Sequence, residues 1–469
     1  MHGPRMPAWD HYAGYISYLA RNQYILQSGI PKVDVALYRK AYDLTRDAPS
    51  PFPSNSLILA GYTYEYVSPE NFKLQGVSVS DGRLAIEGPA YKAIVLSRIQ
   101  NVTIDAAEKL LEFAEDGLPI VIAGGLPIGI PGFDANGTQN TRVQDLVQQL
   151  TAFPVVQIVD DEEAVSGALS SLGVLPAASI NPPSASLYTI RRDVDSSVSH
   201  FFLYNQNDTS INFTLTLEAS GTPFVLDAWS GEIMPVAIWN TTEDGHIVIP
   251  GVQLAAHQTA LFTVSSEDSF EGVLAPSVHI SSADPGVFAQ VSSSGVEIRS
   301  FTEGTKEVVL SNGNQQTLNL SLEGESTREL TGWKLNITAW TPPEDLNQVD
   351  SVLVPQPVID LSQGLVPWDQ LDGQANTSGV GTYITTFEWA HGQNSSVGAQ
   401  LDFGVVVHTL KAWLNGVELP TADPTHPVVD ITLLVREGTN GLRIDAASTL
   451  LNAVNAVSDI EYPPKDAPS

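Results

Sequence analysis

The sequence predicts a multidomain chain of two characters, α/β in its first part and all-β in the rest. Three observations carry that reading. Strand and helix patterns alternate from about residue 30 to residue 178, and strands alone follow Pro182-Pro183. The 469 residues leave room for about three domains of ordinary size. With 36 Gly, 31 Pro and 43% hydrophobic residues, the chain is turn-rich and globular, not disordered.

Taken in order, the apolar positions Tyr12, Tyr15, Ile16, Leu19, Tyr24 and Leu26 fall near helical spacing between Trp9 and Gly29. Gly29 and Pro31 stop that helix, and residues 33–38 read as a buried strand. A helix that feeds a strand with no strand before it looks like the tail of an α/β unit. Strands follow at 92–97, 118–123 and 155–159, and helices at 103–116, with Thr103 as N-cap, 141–150 and 161–172. That is the rhythm of a doubly wound parallel sheet. Beyond residue 182, strands at 187–192, 200–204, 213–217, 224–228, 247–249 and 260–264 are separated by turn residues, as in an antiparallel sandwich. A β-rich stretch covers 278–322, and further strands fall near 383–389, 400–403, 410–414 and 441–445. The domains expected are 1–30 as a last helical element, 31–180 as α/β, 181–325 as a sandwich region and 326–469 as a terminal β unit.

Composition excludes several functions. A formal charge of −31, from 22 Lys+Arg against 53 Asp+Glu, repels phosphate backbones and anionic lipid, so neither nucleic acid nor membrane is an expected partner. With no cysteine there is no disulfide, thiolate metal site or Cys nucleophile. No apolar run reaches the ~18 residues of a membrane span, and the first residues lack a signal-peptide core. Nine asparagines nevertheless sit in N-x-[ST] sequons: Asn101, Asn136, Asn207, Asn212, Asn240, Asn319, Asn336, Asn376 and Asn394. Chance gives about 3 or 4, so an extracellular glycoprotein is expected. The competing account is that Ser/Thr-rich strands generate sequons freely.

Few motifs carry chemistry. Gly124-Gly125-Leu126-Pro127-Ile128-Gly129 follows a strand but lacks dinucleotide spacing and reads as a turn. The histidines show no zinc spacing, no G-x-S-x-G occurs, and Asp193-Val194-Asp195-Ser196-Ser197 lacks the Gly and distal Glu of a calcium loop. No cofactor or metal ligand is identified. Glycosidase chemistry needs two carboxylates across one sugar, usually at the top of a barrel of ~250 residues, and these residues leave no room for one. His2, Arg5 and Trp9 precede the first helix, where a barrel loop would stand; Arg can fork onto sugar hydroxyls and Trp can stack on a pyranose. They read equally as an exposed tail with helix-start packing.

The segment His2-Gly3-Pro4-Arg5, Trp9, Tyr18-Leu19-Ala20-Arg21-Asn22-Gln23-Tyr24-Ile25-Leu26-Gln27-Ser28-Gly29 and Val33-Asp34-Val35 resembles glycoside hydrolase family 106. Leu226-Asp227-Ala228-Trp229-Ser230-Gly231 looks, more loosely, like that family's first sandwich turn. The resemblance implies an α-L-rhamnosidase that inverts the anomeric centre with two glutamates and is associated with calcium. Those glutamates would lie on barrel strands upstream, so no residue here inherits a catalytic role. The first helix would be the remnant of that (β/α)8 barrel, with His2, Arg5 and Trp9 beside the sugar.

The α/β unit resembles class I glutamine amidotransferase-like domains, without their nucleophilic Cys. The C-terminal unit resembles the galactose-binding-like jelly roll of glycoside hydrolase family 2. Its signature is Ser378-Gly379, Tyr383-Ile384-Thr385-Thr386-Phe387, Leu401-Asp402-Phe403-Gly404, Trp413-Leu414-Asn415-Gly416, Asp430-Ile431-Thr432 and Gly438-Thr439-Asn440-Gly441-Leu442. Together they imply the accessory part of a secreted hydrolase of fungal type acting on rhamnose-containing oligo- or polysaccharide. The alternative is a non-catalytic carbohydrate-binding or pseudoenzyme protein.

Overall fold

The computed structural model describes residues 3, 5–39, 52–292, 295–320, 327–345, 347–348, 350–390 and 398–456. A five-stranded parallel sheet organises the α/β unit. Its order is Tyr64–Val67, Val35–Tyr38, Ala93–Ser97, Ile120–Ala123, Val156–Val159. The three central strands are buried along their whole length, which is why they read as unbroken apolar runs: helices cover both faces. Ile104–Glu115 and Thr138–Leu150 pack on one face around Leu110, Phe113, Leu146 and Leu150. Ser56–Leu59 and Val165–Ser171 pack on the other around Leu57, Val165 and Leu169. Thr103 does cap its helix, its hydroxyl accepting from the Ala106 amide at 3.3 Å.

Two antiparallel sheets follow, face to face. The six-stranded one runs Ile30–Lys32, Leu187–Asp193, Val198–Asn205, Thr259–Ser265, Thr222–Leu226, Ile233–Pro235. The four-stranded one runs Asn240–Thr241, Ile247–Leu254, Ile211–Leu217, Ala178–Asn181. Alternate side chains such as Phe201, Leu203, Phe213, Leu215 and Phe262 fill the space between them. The short strand Ile30–Lys32, at the sequence boundary of the α/β unit, thus belongs to the sandwich, with Ile30 opposite Asp193. So does Ala178–Asn181. The chain leaves the sandwich at residue 33 and re-enters it at 178.

Hairpins occupy 269–320: Ile280–Ala283, Gly304–Leu310 and Gln315–Leu320 form one sheet, and Phe288–Ser292 pairs with Gly295–Arg299. The last unit is a seven-stranded sheet running Val352–Pro355, Trp333–Thr341, Gly379–Trp389, Gly438–Ala447, Thr409–Leu414, Val417–Glu418, with Ile359–Leu361 also on Trp333–Thr341. A two-stranded sheet, Gln400–Asp402 with Val428–Asp430, lies beside it. Asn415 and Gly416, both at positive φ (53° and 82°), close the hairpin between Thr409–Leu414 and Val417–Glu418.

Candidate functional site

The first helix, Tyr12–Gln27, preceded by a 3-10 turn at Trp9–His11, has two different faces. Its inner face holds two units together. Toward the sandwich, the Tyr18 and Thr259 hydroxyls are 2.8 Å apart and Ile25 is buried against Ala228 and Leu261. Toward the C-terminal sheet, His11 Nδ1 meets the Thr409 hydroxyl at 2.9 Å. A Cβ on Gly14 would lie 2.0 Å from Thr421 Oγ1, so only glycine lets the helix come this close. The outer face is mostly apolar and uncovered: Ile16 and Tyr24 are 60 and 73% exposed, and Leu19, 58% exposed, stands where that face meets the cleft between helix and sandwich.

Arg21, on the inner face, clasps the turn after strand Thr222–Leu226, donating from Nη1 to the carbonyls of Ala228 (2.9 Å) and Trp229 (2.8 Å). Asp227 shapes that turn, accepting from the Trp229 amide at 2.8 Å and the Ser230 hydroxyl at 2.6 Å. Gly231 completes it at φ 85°, where a Cβ would lie 2.8 Å from Arg21 Nε. Trp229 stacks on Tyr18 (3.9 Å, 14°) and takes Tyr15 edge-on (5.5 Å, 86°). The helix and the turn that carry the sequence resemblance, some two hundred residues apart, are therefore one packed unit.

Beside this clasp lies a cleft of about 280 Å³, lined by Tyr15, Tyr18, Trp229, His257, Asp423 and Thr425 among others. Burial pushes both tyrosine hydroxyls above their ordinary range. Asp423, the one carboxylate among the lining residues, is already engaged. Its Oδ1 accepts from the Thr425 amide (2.8 Å) and hydroxyl (2.7 Å), and its Oδ2 from Gln258 Nε2 (3.0 Å). With a single, fully engaged carboxylate, this cleft lacks the acid and base that glycoside hydrolysis requires.

The predicted sugar contacts are not drawn together here. Arg5 is exposed, Trp9 is 44% exposed with its edge on Tyr12 at 6.1 Å, neither lines the cleft, and His2 lies outside the described residues. Of the sequon asparagines, Asn394 lies outside the described residues. Asn101, Asn136, Asn212, Asn240, Asn319, Asn336 and Asn376 are exposed and Asn207 is half-buried. Among the described residues the buried asparagines, Asn22, Asn205 and Asn440, are all outside sequons.

Other motifs are spent on structure. Asp195 Oδ1 accepts from the amides of Ser197 and Val198 and from the Ser197 hydroxyl, closing a β-turn. Asn440 is fully buried and bonds the backbone at Arg436 and Gly438. Gly124 and Gly125 turn at φ 77° and 110°. At the end of strand Ala93–Ser97, where a nucleophile elbow would stand, Arg98 sits in the left-handed region at φ 52°. Glu162 grips it: its carboxylate takes Arg98 Nε and Nη2 (2.7 Å each) and the Ser97 hydroxyl (2.7 Å). Burial alone would raise Glu162, but Ser97 and Arg98 outweigh it and hold the carboxyl below its usual range. Nothing in the sequence pairs Arg98 with Glu162; their spacing has no local pattern.

The α-L-rhamnosidase model of glycoside hydrolase family 106 matches residues 3–239, about half of the chain. The chain belongs to this family. The rhamnosidase of Novosphingobium sp. PP1Y aligns with 99% of the chain at a TM-score of 0.66 and 18% identity, so the fold of that rhamnosidase is shared well beyond the matched residues. A Formosa agariphila protein named "Putative beta-glucuronidase" is 23% identical over 271 residues, 56% of this chain. The chain spans 39% of the length of the first and 22% of the second. Its family 106 match takes in the first helix, the parallel sheet and the Arg21 clasp.

Proposed function

We propose that this chain is the accessory, non-catalytic portion of a secreted α-L-rhamnosidase acting on rhamnose-containing oligo- or polysaccharide. One observation carries the reading: the helix that leads the family match buries a polar, aromatic face in the clasp and turns Ile16, Leu19 and Tyr24 outward. A helix apolar on its outside is built to be covered, and the last helix of a (β/α)8 barrel is covered by its barrel. Arg5 and Trp9 precede it, in position to border a barrel mouth. The exposed sequons are in keeping with passage through a glycosylating compartment. The C-terminal sheets take the part of a jelly roll.

In that enzyme one glutamic acid protonates the leaving glycosidic oxygen and a second, as base, activates water from the opposite face, inverting the anomeric centre. Both glutamates belong to the barrel. The part of these residues is to hold the barrel's last helix through Arg21, Tyr18 and His11. Among the described residues no group of three or more His, Asp or Glu side chains is placed to hold a metal ion.

The test is capture of the native polypeptide through its C-terminal unit, followed by deglycosylation, sizing and assay on an aryl α-L-rhamnoside. The proposal expects a mass far above 50.3 kDa and release of rhamnose. A deglycosylated mass of 50 kDa with sugar binding and no release would install the carbohydrate-binding reading instead.

A further inference from the structure

A second cleft lies at the seam between the parallel sheet and the sandwich. It measures about 190 Å³ and is walled by Ile58, Tyr64, Ile180, Leu187, Tyr188 and Thr189. Its floor is a close backbone approach: Gly61 sits at φ 88°, and a Cβ there would lie 2.5 Å from the Ala178 carbonyl oxygen. Tyr64 stands on the edge strand of the parallel sheet, and Tyr188, 42% exposed, stands opposite on the sandwich. Tyr66 extends the aromatic wall, its ring 6.0 Å from Tyr64.

Three properties of this cleft narrow what fits. First, none of its lining residues is charged, although the chain carries 75 ionisable Lys, Arg, Asp and Glu side chains (22 and 53), so it selects a neutral ligand. Second, the hydroxyls of Tyr64 and Tyr188 make no hydrogen bond among the described residues, unlike that of Tyr62, which donates to the Val174 carbonyl at 2.6 Å. Free phenols above an apolar ring face suit a ligand with a C–H face and a hydroxyl rim. Third, the volume holds one sugar ring and falls below the ~300 Å³ of a drug-sized site.

We infer that this cleft is a secondary, non-catalytic glycan site that takes one neutral pyranose, with preference for a 6-deoxyhexose. Tyr188 and Tyr64 stack on and hydrogen-bond the ring. Ile58, Ile180 and Leu187 receive the methyl group that such a sugar has in place of a hydroxymethyl, whose hydroxyl would find no partner among them. The choice of sugar rests on the rhamnosidase reading; the existence of the site does not.

The experiment is titration of the full 469-residue chain with methyl α-L-rhamnoside, methyl glucoside and glucuronate, followed by calorimetry and saturation-transfer NMR. Weak binding of the rhamnoside is expected, roughly tenfold weaker binding of the glucoside, and none of glucuronate. Tyr188→Ala should lower affinity at least about tenfold, and Tyr64→Phe, which keeps the ring, by a few-fold. Both should leave the denaturation midpoint in place. Absence of binding, or affinity unchanged by Tyr188→Ala, overturns the site. Equal binding of the glucoside overturns the 6-deoxy preference. Rhamnoside hydrolysis by the captured native polypeptide reports separately on the proposed function, since Tyr188→Ala leaves small-substrate turnover unchanged.

Discussion

The sandwich meets the rest of the chain along two seams, and the two are held by different physics. On one, the first helix joins it to the C-terminal sheet through stacking and hydrogen bonds: Tyr18 on Trp229, Arg21 on two carbonyls, His11 on Thr409. On the other, the parallel sheet is joined through a buried ionic network. Lys92 Nζ lies 2.8 Å from Asp34 and 2.7 Å from Glu218, Asp34 also accepts from Thr63 and Ala177, and Arg83 and Arg191 complete Glu218. Each seam leaves a cleft. In the first, Tyr15, Tyr18 and Trp229 are spent on one another; in the second, Tyr64 and Tyr188 are not. The lesson is that an aromatic lining marks a sugar site only where the phenol hydroxyls are still free.

The largest effect should come from breaking the ionic seam. Lys92→Met leaves the buried Asp34 carboxylate without its cation, while Glu218 keeps Arg83 and Arg191, and should cost about 3–5 kcal/mol, read as a lower denaturation midpoint. It should also abolish sugar binding, because Thr63 on Asp34 sets the cleft floor. On the aromatic seam, Trp229→Ala should cost about 2–4 kcal/mol and Arg21→Ala about 1.5–3 kcal/mol, with sugar binding retained by the folded fraction. If either abolished binding while the chain stayed folded, the ranking of the two clefts would reverse.

Acid should separate the seams as well. Burial, with Lys411 adding to it, lowers His11 from its ordinary 6.5. The unfolded chain therefore takes up the proton first, so the stability tied to neutral His11 is complete above about pH 6.5 and declines as pH falls below it. Burial would raise Glu218, but Lys92, Arg191 and Arg83 outweigh it and hold it below its ordinary 4.5. Its contribution is present above that value and lost only as pH falls further. Hydrogen exchange at pH 5.5 should find the His11–Thr409 contact loosened and the Asp34–Lys92–Glu218 seam intact. The smallest effect belongs to the outer stripe. Ile16→Ser and Tyr24→Ser should move stability by no more than about 0.5 kcal/mol in this chain, yet remove activity from the native enzyme.

Legibility in the sequence followed locality. Central strands such as Ala93–Ser97 and Ile120–Ala123 announced themselves as apolar runs because both faces are covered. The edge strand Tyr64–Val67 did not, since Glu65 and Tyr66 face solvent and break the run. Trp333–Thr341 was legible in its period-2 pattern behind Gly332, which turns at φ 72°, but is absent from the strands expected above. Arg21 was legible as part of a motif, whereas its grip on Ala228 and Trp229 was not: that contact exists only once helix and turn meet. Asp34 too was legible as part of a motif, but its pairing through Lys92 with Glu218 was not, these being charged residues in a chain full of them.

The most direct test is to incubate the purified 469-residue chain with an aryl α-L-rhamnoside and follow free rhamnose. The account places both catalytic glutamates outside these residues and predicts no release above the uncatalysed rate, with the chain folded throughout. Sustained release that a single carboxylate substitution in this chain abolishes would contradict it.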